Sequence, residues 1–96
     1  MAWMYILRCN DGTYYVGSTT DLSLRLAEHE QGIGARYTSA RLPVQLVFSC
    51  EFQGIVEAYE RENQVKHWSK VKKEALIREQ WNELPELSKR RTPNVT

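Results

Sequence analysis

Met4-Tyr5-Ile6-Leu7-Arg8-Cys9-Asn10-Asp11-Gly12-Thr13-Tyr14-Tyr15-Val16-Gly17 is the stretch whose reading decides the fold. Two short strand-like runs flank the turn formers Asn10-Asp11-Gly12, so the segment reads as a β-hairpin. If the three linking residues form a type I turn followed by a left-handed glycine, Cys9 pairs with Thr13, Leu7 with Tyr15 and Tyr5 with Gly17. Tyr5 and Tyr15 then share one face. A two-residue Asp11-Gly12 turn would shift the register by one and send the two phenols to opposite faces, because side chains alternate along a strand. Tyrosine also suits a strand by shape alone, so the pair carries no function without further partners.

Downstream of the hairpin, Ser18-Thr19-Thr20-Asp21 leads into a helical pattern over Leu22 to Gln31, with Thr20 or Asp21 as the cap and Gly32 and Gly34 as the stop. Leu22, Arg25, Leu26 and His29 fall at i, i+3, i+4 and i+7 and form one stripe. Arg25 therefore lies among leucines, either as a boundary arginine with its stem on apolar surface or as an arginine anchored for a site. His29 has the same two readings, a core histidine or a site residue.

The strand at 44–52 follows, with Val44, Leu46, Phe48, Cys50 and Phe52 alternating onto one face. Gln53-Gly54 ends it, and a helix is expected from Ile55 to Trp68 with a stripe through Ile55, Ala58, Val65 and Ser69. Glu62 occupies that stripe. A carboxylate there is costly to bury unless it is paired or binds a cation. Lys66, four residues on, can pair with it, but an exposed pair of this kind contributes only about 0.2–0.5 kcal/mol. Glu57 and Glu60 read as solvated surface. A last helix starts with Ser69 as cap and continues through Val71, Ala75, Leu76 and Ile77 to about Trp81.

These residues together resemble the GIY-YIG nuclease superfamily, in particular its small stand-alone bacterial members. The family's modules also occur in homing endonucleases, an excision-repair incision subunit, junction nucleases and restriction enzymes. Trp3-Met4-Tyr5 stands at the first motif, of which it keeps only the tyrosine, and Tyr15-Val16-Gly17 at the second. Gly17 through Arg25 to His29 resembles the family's middle stretch, and Glu57-Ala58-Tyr59-Glu60-Arg61-Glu62-Asn63-Gln64-Val65-Lys66 its metal-ligand helix. The likeness runs from residue 3 to about 78.

The resemblance implies a metal-dependent endonuclease that hydrolyses DNA phosphodiester bonds, with repair among its contexts. It implies Tyr5, Tyr15, Arg25, His29 and Glu62 as catalytic residues, with Glu62 the protein ligand of one Mg²⁺ or Mn²⁺. One carboxylate suffices in principle, since Mg²⁺ commonly keeps several waters and takes phosphate oxygens as further ligands. Arg25 would stabilise charge on the phosphate, the two tyrosines would position or deprotonate the attacking water, and His29 would accept or relay a proton.

At 96 residues and 42% hydrophobic content the chain suits one domain, expected at 1–81, followed by a polar, mobile tail over 82–96. No membrane-length apolar run or signal-peptide pattern is present in it, which leads to a cytoplasmic expectation. Cys9 and Cys50 sit inside expected strands and read as reduced core residues, not as a disulfide or zinc pair.

Net charge is only +1, so any nucleic-acid surface must come from distribution. Lys66, Lys70, Lys72 and Lys73 lie in a stretch without acids, and Arg36, Tyr37, Thr38 and Arg41 occupy an expected loop before Pro43. Both groups are candidate phosphate contacts, and branched or single-stranded DNA is among the candidate substrates. The fold class expected is α+β: a three-stranded antiparallel sheet with about three packed helices. Two other functions remain open: a nucleic-acid-binding module of the same fold with little or no activity alone, and a subunit of a larger nuclease assembly whose protein partner supplies specificity.

Overall fold

A computed structural model of the chain describes residues 1–82. The polar tail expected over 82–96 falls, from residue 83 onward, outside the described residues. β1 (Ala2–Arg8) and β2 (Tyr14–Thr19) form the hairpin, and their register is the one the three-residue loop requires: Leu7 faces Tyr15 and Tyr5 faces Gly17. Gly12 closes the loop at φ +85°, where a side chain is strained, and donates its N–H to the Cys9 carbonyl at 2.9 Å. The Asp11 carboxylate accepts from the Thr13 N–H and hydroxyl at 3.1 and 2.6 Å, which fixes the turn locally.

The third strand, β3 (Gln45–Phe52), pairs antiparallel with β1, giving the sheet order β2-β1-β3 with β1 central and β2 an open edge. Its clean alternation is not realised. Ile6 faces Phe48 while Leu7 faces Leu46, so Val47 is an extra residue opposite β1. The bulge exposes Leu46 and packs Val47 against the core beside Phe48 and Phe52. Cys9 is buried as expected, but Cys50 is exposed, lining an open cavity of about 220 Å³ with Met4, Phe48 and Leu76.

Helices cover both faces of the sheet. α3 (Ile55–Lys66) buries Ala58 and Val65 against Met4, Ile6, Val16 and Phe48, and α4 (Lys70–Asn82) adds Leu76 and Ile77 at the margin of this core. Glu57 caps α3 by accepting the Gly54 N–H at 3.0 Å, and Ser69 caps α4 by accepting the Lys72 N–H at 3.2 Å. On the opposite face, α1 (Leu22–Glu30) starts at Asp21, whose carboxylate accepts the Leu24 N–H at 3.1 Å. It ends in a Schellman turn: Ile33 N–H reaches the Glu28 carbonyl and Gly32 N–H the His29 carbonyl, both at 3.0 Å, with Gly32 at φ +83°.

The segment expected as loop contains a fourth helix, the single turn α2 (Arg36–Ser39). Its sequence lacks the length that makes helical periodicity readable, and no side chain caps its start. Among the described residues, no helix is long and apolar enough to cross a membrane.

Candidate active site

Strand alternation sends Tyr5 and Tyr15 to the α1 face, and Tyr14, Val16 and Ser18 to the α3 face. Because β2 is the sheet edge, groups from both faces meet around it. The result is a cleft of about 340 Å³ lined by Tyr14, Tyr15, Val16, Tyr37, Glu62, Lys66 and Lys73.

On the α1 side the two phenols gather about His29. Tyr5 is 1% exposed and His29 fully buried, with Tyr5 Oη 2.9 Å from His29 Nε2. The Tyr15 ring meets the His29 ring edge-on at 5.2 Å and lies 6.5 Å from that of Tyr5. Tyr15 lines the cleft, its ring packed between those of His29 and Tyr37.

Burial raises the Tyr5 phenol from its ordinary 10.0 to about 12, the Arg25 cation acting in the opposite direction. Burial and then the Arg25 charge hold His29 below its ordinary value, which keeps the imidazole neutral. For Arg25, burial disfavours the cation, but the Tyr5 phenol and the Glu28 carboxylate outweigh it and raise its pKa. Glu28 lies 3.1 Å from the guanidinium, one helical turn away.

Glycines make this packing possible. A Cβ on Gly17 would sit 2.5 Å from Tyr5 Oη, and one on Gly34 only 2.6 Å from His29 Nδ1. Both positions need glycine for close approach, not for backbone freedom.

On the α3 side, Glu62 points inward as its stripe position requires. Its Oε1 accepts the Ser18 hydroxyl at 2.6 Å, and its Oε2 makes a long 3.9 Å contact with Lys66. The side chain is 15% exposed and lines the cleft. Among the described residues no three of His, Cys, Asp and Glu cluster as a ready metal cage. One cleft-facing carboxylate oxygen fits a cation that fills its other positions with water and phosphate oxygens. Tyr5, Arg25 and His29 are not among the residues that line this cleft; Arg25 lowers the Tyr5 pKa, while Tyr15 and Glu62 raise it.

The residues expected to contact nucleic acid divide. Lys66, Lys73 and Tyr37 line the cleft, while Arg36 on α2 and Lys70 at the start of α4 are exposed and not among its lining residues. Lys72 lies over the Trp68 ring at 4.2 Å. Arg41 is engaged internally, 3.1 Å from the Asp11 carboxylate and 3.8 Å over the Tyr37 ring, which also stacks on Tyr15 and whose hydroxyl donates to Thr13 Oγ1 at 2.7 Å. Thr38 must be removed from the phosphate contacts, because it is fully buried and its hydroxyl lies 2.8 Å from His29 Nδ1. Ser18 and Gly34 were not singled out by sequence. Ser18 could have been found from parity with Val16, and Gly34 from being a second glycine that the helix stop does not need.

Known proteins are similar to this chain. The chain matches the GIY-YIG catalytic domain over residues 1–75. It is 46% identical over 78 residues to a UPF0213 protein of Streptococcus pneumoniae, covering 81% of this chain and 79% of that one. It is 47% identical over 77 residues to a UPF0213 protein of Halobacterium salinarum, covering 80% and 100%. The solution NMR structure of a UPF0213 protein from Bacillus halodurans is similar at a TM-score of 0.54 and 39% identity, covering 96% of this chain and 97% of that one. A domain match of this extent implies nuclease-type activity and a nucleic-acid substrate. The domain match over residues 1–75, the UPF0213 relatives and the α+β sheet order together show that this chain belongs to the GIY-YIG family.

Proposed function

We propose that the protein is a divalent-metal-dependent endonuclease that hydrolyses DNA phosphodiester bonds in the cleft along β2. The observation that supports this most is the meeting of Tyr15 and Glu62, from opposite faces of the sheet, on one cleft wall. Glu62, with Ser18 holding one of its oxygens, offers the other to Mg²⁺ or Mn²⁺, which when bound would supply Lewis-acid stabilisation and orient phosphate and water.

Tyr15 faces the cleft and is the phenol placed to orient or deprotonate the attacking water. Tyr5 is too well protonated to act alone at neutral pH, since burial holds its pKa near 12. Its hydroxyl lies 2.9 Å from His29 Nε2, so Tyr5 and the imidazole hold each other as a buried pair against the Tyr15 ring. Arg25, protonated and planar, stabilises charge that grows on the phosphoryl oxygens. Lys66 and Lys73 bring positive charge to the cleft rim for the flanking phosphates.

The test is incubation of purified protein with single-stranded, branched and duplex DNA, with Mg²⁺, with Mn²⁺ and with chelator, products being resolved on denaturing gels. Metal-dependent cleavage of at least one substrate is expected. Binding without cleavage on all of them would overturn the proposal in favour of a binding module.

A further inference from the structure

We infer that Thr38 is a positioning residue of this site: its hydroxyl fixes His29 as the Nδ1–H tautomer, so that Nε2 is held as the acceptor for the Tyr5 proton. This rests on the nuclease reading for its effect on rate, but not for the proton assignment.

The inference comes from counting donors. Thr38 Oγ1 lies 3.1 Å from the Ala35 carbonyl oxygen and 2.8 Å from His29 Nδ1. A hydroxyl has one proton to give. The Ala35 carbonyl can only accept, as it also does from the Ser39 N–H at 2.9 Å, and an oxygen–oxygen separation of that size without a proton between would set lone pairs against each other beside the buried Thr38 side chain. The Thr38 proton therefore goes to Ala35, and the Thr38 lone pair must receive Nδ1–H. A neutral imidazole carries one N–H, which leaves Nε2 unprotonated opposite Tyr5 Oη at 2.9 Å. The ordered chain of donors runs from Tyr5 through His29 and Thr38 to the Ala35 backbone.

The fold explains how residues nine apart hold this geometry. The Schellman turn after α1 reverses the chain, Gly34 lets it pass directly against the imidazole, and the single turn α2 aims Thr38 back at Nδ1. α2 thus contributes one buried hydroxyl beside the Tyr37 ring that lines the cleft. If Thr38 instead donated to Nδ1, His29 would be protonated at Nε2 and would donate to Tyr5, leaving the phenol proton without this acceptor. The two arrangements predict opposite roles for the same ring.

The experiment reads the proton directly. Long-range ¹H–¹⁵N correlation spectra of wild type and of the Thr38→Val and Thr38→Ser variants report the His29 tautomer, and His67→Gln assigns which of the two histidine signals is His29. Expected are Nδ1–H in wild type and Thr38→Ser, and loss of that single tautomer in Thr38→Val. Cleavage kinetics should show kcat falling by up to about 100-fold in Thr38→Val with KM nearly unchanged, and recovering in Thr38→Ser. An Nε2–H tautomer in wild type, or an unchanged tautomer in Thr38→Val, would overturn the inference. Wild-type protein that holds the Nδ1–H tautomer yet cuts no DNA would overturn the nuclease reading and leave the proton assignment standing.

Discussion

Gly17 and Gly34 show how closely the site is built, because each leaves room for one ring and no more. Alanine at Gly17 meets Tyr5 Oη at 2.5 Å, and at Gly34 it meets His29 both at Nδ1 and at the backbone nitrogen, which cannot swing aside. Each substitution is expected to destabilise the fold by about 1–3 kcal/mol, the range typical of overpacking, read as a lower urea midpoint at unchanged slope. Ionisation at the same two rings sets the pH limits. His29 has a lowered pKa when folded, so the unfolded chain binds more protons near and below the ordinary value of 6.5, and stability should fall as pH drops through that region. Tyr5 is raised when folded, so its contribution is complete below 10 and lost as pH climbs toward 12. Thermal melts across both ranges check the two slopes, which His29→Gln and Tyr5→Phe should flatten respectively.

Among the elements, the hairpin was legible because its register depends on local residues. Asn10, Asp11 and Gly12 allow few turns, and only one of them puts Tyr5 and Tyr15 on a common face. Deleting Asn10 should therefore slip the register by one, separate the phenols and abolish cleavage, whereas Asn10→Ser, which keeps the loop length, should retain it. Gel cleavage assays on both variants decide this. Glu62 was legible for a related reason: a carboxylate on an apolar stripe needs a partner, and the structure supplies Ser18 from the edge strand. The bulge at Val47 was not legible, since alternation in β3 reads the same whether or not one residue loops out, and the choice is made by pairing with β1. The α2 turn and the role of Thr38 were hidden too, because they arise only when the chain folds back onto a histidine nine residues earlier.

At the scale of the whole molecule, the open edge of the sheet is what makes a site possible. A central strand would keep its two faces apart, but β2 lets Tyr15 from one face and Glu62 from the helix on the other line a single cleft. Positive charge there comes from Lys66 and Lys73, not from the near-neutral total. Changing both to alanine should weaken DNA binding across sequences and reduce the salt dependence by about one unit of slope per lysine, measured by fluorescence anisotropy over a salt series. The most direct measurement compares DNA cleavage by wild type and Glu62→Ala in Mg²⁺ or Mn²⁺, with thermal melts verifying that both are folded. Metal-dependent cutting by wild type and none by the folded Glu62→Ala protein is the expected result; cutting that survives the substitution would contradict Glu62 as the metal ligand.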